Sequence, residues 1–210
     1  MKFKFLQRSQ AKTLPNSKQL AYTVCPLALG TSLGDYTIEK VLTQGQSGYT
    51  YVANGGSTII QEYFPRAIAI RDTDGKSILL RDEFAKNNYE FGLSQFLLLA
   101  RILSQIEHPG KVIHYQEEHD TAWYAVSIEP RASVGDLLRT GKRMPEESLR
   151  VILTETLIYL EAAHRHGIFH LELGPDQIIL SSDKTLVLCG FNVYRALDSS
   201  LRENRAAYYF

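Results

Sequence analysis

Net charge, cysteine and long apolar runs are what this sequence has least of. Acidic and basic side chains balance at 23 each, so no bulk field draws the chain toward nucleic acid or an anionic membrane. Two cysteines occur, Cys25 and Cys189, far apart and in neither a metal-ligand nor a redox spacing. That usage reads as two reduced thiols in a reducing compartment. The start, Met1-Lys2-Phe3-Lys4-Phe5-Leu6-Gln7-Arg8, lacks the apolar core of a signal peptide, and no stretch approaches membrane-spanning length. A cytoplasmic protein is expected. No repeat and no low-complexity tract is present. With 210 residues, 44% of them apolar, the chain can bury a core as one domain or two small lobes.

Residues 1–28 are weakly patterned, with a turn at Pro15-Asn16-Ser17, and read as an arm or linker packed on the body through Leu20, Tyr22 and Val24. From Tyr36 the texture becomes β-type. Tyr36–Leu42 and Tyr49–Ala53 flank Thr43-Gln44-Gly45-Gln46-Ser47-Gly48 as a hairpin. Asn54-Gly55-Gly56 permits positive φ and turns the chain into a third strand, Ser57–Phe64, stopped by Pro65. A further hairpin uses Asp72-Thr73-Asp74-Gly75 before Ile78-Leu79-Leu80. Residues 88–106 switch to a helical period through Phe91, Phe96, Leu97, Leu99, Ala100, Ile102, Leu103 and Ile106, ended by His108-Pro109-Gly110. Val112–Tyr115 and Thr121–Val126 form the next hairpin.

After Pro130 the pattern is helical. Ser133 caps a short helix to Arg139, and Pro145-Glu146-Glu147 opens a longer one. Leu149, Ile152, Leu153, Leu157, Leu160 and Ala163 make its apolar stripe, and Gly167 ends it. Ile168-Phe169-His170-Leu171-Glu172-Leu173-Gly174-Pro175-Asp176-Gln177 is then a polar turn leading into a hairpin, Ile178–Leu180 and Leu186–Leu188 around Ser181-Ser182-Asp183-Lys184. A polar tail, 198–205, precedes Tyr208-Tyr209-Phe210, whose aromatic character predicts burial or contact. His164, His166 and His170 have poor metal spacing; His170 is expected to hold the loop backbone and His108 to fix its turn. The twelve tyrosines read as sheet packing.

From about Leu33 to Phe210 this order resembles the eukaryotic-like Ser/Thr protein kinases of bacteria. Val41–Ala53 looks like the glycine-rich loop, and Gln61-Glu62-Tyr63-Phe64-Pro65 like a strand that reads Lys-Glu-Tyr-Phe-Pro in one subgroup. Ala100-Arg101 through His108-Pro109 looks like the end of helix C. His164, Gly167, Ile168 and His170 sit as they do before a catalytic loop. The resemblance implies an α+β, protein-kinase-like two-lobed fold with an antiparallel β N-lobe carrying helix C and a shortened, mainly helical C-lobe. Its divisions would be an arm at 1–28, an N-lobe and hinge at 29–130, and a C-lobe at 131–210 that stops where the activation segment begins. The long helix would then lose cover that the arm, a partner, a second copy or the remainder of a longer protein supplies.

Fold does not carry function, so the chemistry is read position by position. Phosphoryl transfer needs a cation on the phosphates, an acid to hold it, a base for the hydroxyl and side chains on magnesium. By resemblance the cation position is Gln61 and its helix C partner Leu99. The base position is Glu172, one methylene longer than expected. The neighbouring lysine position is Gly174, the metal-binding amide Gln177, and Asp-Phe-Gly reads Gly190-Phe191-Asn192. Thr43 replaces the first loop glycine and Leu171 an arginine. Gln44, Gln46, Tyr49 and Tyr51 offer no charge in compensation, and Asp176 is implied to be a loop residue facing solvent. The nucleotide pocket would be vestigial, lined by Gly45, Gly48, Gln61, Val126 and Ile128, with no metal and no required cofactor.

The reading that follows is a pseudokinase, not an enzyme, acting as a scaffold or allosteric regulator of an active kinase or of a secretion or signalling complex. Its partner, a protein or a second copy, would cover the shortened C-lobe, with neither nucleic acid nor membrane involved. Two alternatives stand: a nucleotide-binding enzyme with residual or relocated transferase chemistry through Glu172, and a sensor that binds ATP without metal.

Overall fold

The computed structural model describes residues 12–13, 24–108, 110–141, 143–182 and 185–191. The arm residues Leu20 and Tyr22, the turn at 15–17, Pro109, Asp183, Lys184, Asn192 and the terminus Tyr208–Phe210 lie outside them.

Among the described residues, twelve strands and three α-helices run in the order β1 (Lys12–Thr13), β2 (Ser32–Leu33), β3 (Tyr36–Gln44), β4 (Gly48–Ala53), β5 (Thr58–Tyr63), β6 (Ala69–Arg71), β7 (Ile78–Leu80), α1 (Lys86–Leu103), β8 (Val112–Glu118), β9 (Thr121–Ser127), β10 (Pro130–Ser133), α2 (Val134–Arg139), α3 (Glu146–Arg165), β11 (Ile178–Ser181) and β12 (Leu186–Leu188). Six strands make one antiparallel sheet in the order β2-β3-β4-β5-β9-β8. The architecture is mixed α and β, with an antiparallel sheet and few helices. No helix among the described residues is long and apolar enough to cross a membrane.

β5 is buried along its whole length, so its alternation sorts side chains between two buried faces. Gln61 and Tyr63 face α1. There Phe96 stacks on Tyr124 with ring centroids 5.2 Å apart, and Tyr63 meets Phe96 at 5.7 Å and Tyr89 at 5.3 Å. Gly92 permits this approach, since a Cβ there would overlap the Tyr63 hydroxyl. Glu62 points the other way, toward residues 25–27 and β6. Arg71 donates to it from Nη1 at 2.7 Å and from Nη2 at 3.0 Å, and Tyr51 donates to Oε2 at 2.7 Å. Leu27 closes the group by donating its amide to the Tyr51 hydroxyl at 3.0 Å.

The helical half follows its caps. Ser133 and Asp136 form a reciprocal capping box on α2. α3 ends in a Schellman arrangement: Ile168 donates its amide to Ala163 at 3.0 Å and Gly167 to His164 at 2.8 Å, with Gly167 at φ 70°.

Three expectations are corrected. The stripe of α3 splits: Ile152, Thr156, Tyr159 and Ala163 are buried, whereas Leu149, Leu153 and Leu157 are exposed, the last at 65%. The sequence is apolar on more than one flank of this helix, and only the flank carrying Tyr159 meets β12 and Phe191. Phe91 is exposed, because the face of α1 turned to the sheet runs through Tyr89, Gly92, Phe96, Leu99, Ala100 and Leu103. The segment after Pro130 begins with a strand: β10 pairs with β11, making β10-β11-β12 a sheet where a hairpin was expected.

Candidate functional site

Period-2 alternation places Gln61 of β5 opposite Tyr124 of β9 in the ladder. Its Oε1 accepts the Tyr124 hydroxyl at 2.6 Å and the Gly190 amide at 3.2 Å. Gln61 therefore ties the sheet to the backbone at Gly190. Burial holds the Tyr124 hydroxyl far above its ordinary value, so it stays protonated and donates. The amide nitrogen of Gln61 remains a neutral donor. Leu99 lies in the core of α1, 5% exposed.

Tyr124 is not singled out by the sequence reading. Its signal is present there, since a residue two positions before Val126 in a buried strand shares that face with Gln61 once β5 and β9 pair. Replacing Tyr124 by Phe removes one of the two donors to Gln61 while keeping the ring on Phe96. The expected result is a loss of about 1 kcal/mol in urea denaturation, the net contribution of a neutral hydrogen bond.

The loop after α3 is pinned from inside. His170 is buried, its Nε2 lies 3.0 Å from the Cys189 carbonyl, and its ring sits 4.5 Å from Phe191. Leu171 follows in the left-handed region at φ 63°, a conformation costing about 1–3 kcal/mol for a bulky residue. Glu172 is exposed, its amide bonded to the His170 carbonyl at 2.9 Å. Gly174 leads into a 3₁₀ turn, Pro175–Gln177, and a Cβ at Gly174 would sit 2.9 Å from Gln177 Oε1. Gln177 accepts the Cys189 amide on its carbonyl at 2.9 Å. A Cβ at Gly190 would lie 3.2 Å from Gln177 Cγ, and Gly190 has φ 75°. Gln61, Gln177 and Gly190 are thus brought together. Asp176 does not simply face solvent: it pairs with Arg139 at 2.8 Å, about half exposed, and lies against Gly135.

Among the pocket residues, Gly45 donates its amide to the Gly48 carbonyl at 2.9 Å. The turn is also fastened to the chain after β5, with Phe64 donating to Ser47 at 2.9 Å and Arg66 to Gln46 at 3.1 Å. Val126 and Ile128 are buried, and Ile128 donates its amide to Ser57 at 3.1 Å. Among the described residues no group of three or more His, Cys, Asp or Glu could hold a metal ion.

His108 accepts the Gly110 amide at 3.0 Å and meets the Tyr159 ring edge-on. Burial lowers both His108 and His170 below the ordinary histidine value. Their neutral forms are favoured in the folded state, so the unfolded chain binds more protons below that value. The stability they contribute is fully present above about pH 6.5 and is lost as pH falls through their folded values. Denaturation midpoints should drop as pH falls from about 7.5 to 5.5, with a shallower drop in His170→Gln.

A scan against protein-family models finds no match. The chain is, however, similar to serine/threonine-protein kinases over most of its length. A probable serine/threonine-protein kinase of Dictyostelium discoideum is 25% identical over 201 residues, covering 91% of this chain and 38% of the relative. The probable serine/threonine-protein kinase PknB of Lactococcus lactis is 25% identical over 158 residues, 74% of this chain and 23% of the relative. The serine/threonine-protein kinase PknL of Mycobacterium tuberculosis is 24% identical over 148 residues, 70% of this chain and 36% of the relative. The chain spans well under half the length of each. These relatives correct the expectation that the chain is not an enzyme. That expectation counted lost charges at single positions, whereas the similarity runs with proteins named as kinases across both halves of the chain.

Proposed function

We propose that this chain is the nucleotide-handling part of a kinase-like phosphotransferase with relocated chemistry, in which Glu172 is the base. The observation that carries the reading is the retained frame: His170 and Phe191 anchor the loop bearing Glu172, and Gln61 and Gln177 both approach Gly190. The fold is read as two-lobed, with 29–130 as the small lobe and hinge, 131–210 as the start of the large lobe, and 1–28 as an arm.

In the proposed step a substrate hydroxyl gives its proton to the Glu172 carboxylate. Its oxygen bonds to the terminal phosphorus of a nucleoside triphosphate as the bond to the diphosphate breaks. The Gln61 amide nitrogen and backbone N–H groups supply donors without charge, which makes the clamp on the phosphates weak. Removing single preorganised donors from such sites costs about 10²–10³ in rate, so turnover should be slow. ATP is the co-substrate of this reading, and its binding is expected to need metal less than usual, since Gly190 brings no carboxylate.

The test is turnover of γ-labelled ATP. Slow turnover that falls about a hundredfold in Glu172→Gln supports a base, whose usual contribution is about 10²–10⁴. Turnover unchanged by that substitution removes Glu172, and none in the wild type removes the reading.

A regulatory role through a protein partner or a second copy is favoured by a separate observation, the exposed apolar flank of α3 at Leu149, Leu153 and Leu157. Scattering or sedimentation of Leu153→Glu with Leu157→Glu tests it. A wild type that self-associates or binds a partner, and a variant that does not, is the expected result.

A further inference from the structure

Three buried donors on the face of the sheet opposite Gln61 find no hydrogen-bond partner among the described residues: the Tyr49 hydroxyl, Arg66 Nε and Arg71 Nε. Two of them, on Tyr49 and Arg71, belong to side chains that meet one ring. Tyr49 meets Phe64 at 5.2 Å, Arg71 stacks 4.6 Å over the same ring, and Arg66 follows Phe64 by two residues. The Arg66 amide is bonded to Gln46, in the turn that delivers Tyr49. Tyr49 and Arg71 are each 1% exposed, whereas Arg66 is half-buried and gives a side open to solvent.

The charges nearby are unbalanced. Glu62 is an acid on this face, and both its oxygens are taken, Oε1 by Arg71 and Oε2 by Arg71 and Tyr51. Arg66 enters no ion pair among the described residues. The guanidinium charges of Arg66 and Arg71 both pull the Tyr49 hydroxyl down against the larger upward effect of burial, which places them in electrostatic reach of it. Buried donors without a partner are costly unless an acceptor meets them. A water molecule has two lone pairs for three donors, whereas a tetrahedral oxyanion has several on each of its oxygens.

We infer that Tyr49, Arg66 and Arg71 form a binding site for one oxyanion of the phosphate type, entering from the Arg66 side. The site is independent of the phosphotransfer reading, because alternation puts it across the sheet from Gln61. Its ligand is either free phosphate or a phosphorylated side chain. In the first case the anion is a small-molecule effector of the sheet, in the second a docking handle.

Thermal unfolding at constant ionic strength tests the site, with inorganic phosphate exchanged for chloride on the intact chain, the wild type against Tyr49→Phe and Arg66→Gln. Tyr49→Phe keeps the ring on Phe64 and removes a hydroxyl that has no protein partner, so it should fold. The expected result is a saturable rise in Tm for the wild type that shrinks at least threefold in both variants. A rise of equal size in all three proteins, or no saturable rise, overturns the proposal. A parallel titration with a short phosphoserine peptide separates the sources. Saturation at lower concentration than phosphate assigns a phosphorylated side chain, and the reverse order assigns the free anion.

Discussion

Arg71→Met should lower the unfolding free energy by about 3–5 kcal/mol, the usual result of removing one member of a buried ion pair. Arg71 and Glu62 are each 1% exposed, so the substitution leaves a carboxylate in the interior with one remaining donor, the Tyr51 hydroxyl. The carboxylate would have to take up a proton or open the sheet to water. Arg71 also donates to the Lys76 carbonyl at 2.8 Å and reaches that of Cys25 at 3.4 Å, so the substitution takes the Arg71 donor from two backbone oxygens as well. The double variant Arg71→Met with Glu62→Leu should be less destabilised than Arg71→Met alone. A loss of about 2 kcal/mol should remain, because Tyr51 then lacks its acceptor and the Lys76 and Cys25 carbonyls still lack the Arg71 donor. Urea midpoints of the four proteins in the cycle measure this. Additive losses would mean that the pair does not act as a unit.

Gly48→Ala should be nearly as damaging, at about 3 kcal/mol, and Gly45→Ala should not. A Cβ at Gly48 would overlap the Glu62 carbonyl oxygen in the facing strand. Backbone meets side chain there, so no rotamer relieves the clash and the β4–β5 ladder must spread. At Gly45 the nearest atom to an added Cβ is the Gly48 carbonyl at 3.8 Å, an ordinary contact. Both glycines fall in the turn that resembles a phosphate loop, yet only one is required by packing. Urea midpoints and ATP titrations on both variants separate the roles. A Gly45→Ala protein that folds normally but loses a nucleotide effect places Gly45 in binding, and a normal Gly48→Ala protein contradicts the packing argument.

Much of the fold is legible in the residue pattern alone. Tyr36–Leu42, Tyr49–Ala53 and Ser57–Phe64 declare themselves as β-type runs between glycine turns, and each is a strand of the main sheet. Ser133 and Gly167 declare the ends of two helices because capping is local chemistry. What escapes is non-local. β10 has Pro130 and no alternation, and it becomes a strand only because β11 offers it an edge. The Glu62–Arg71 pair spans two strands, and nothing in the intervening sequence says that their side chains meet. Leu153 and Leu157 look like core because a helix apolar on two flanks does not reveal which flank is covered.

The site is legible in part for the same reason. The His170 contact to the strand end follows from its place after α3, whereas the link between Gln61 and Gly190 joins residues 129 apart. Side-chain identity shows which charges are absent. It does not show that the Gln61 amide binds the backbone at Gly190.

The pairing of β10 with β11 also bears on the order in which the molecule assembles. Ser133 aligns with Ile179, and everything between them, α2, α3 and the loop carrying Glu172, is one closed excursion of the chain. Closing a flexible loop of that length costs about 3 kcal/mol of chain entropy before any contact across it forms. α3 can begin locally, but the backbone around Glu172 gains its shape only when the two ends meet. The loop frame therefore belongs to the late, long-range steps of folding, and a chain broken between α3 and β11 keeps its helices more readily than its site.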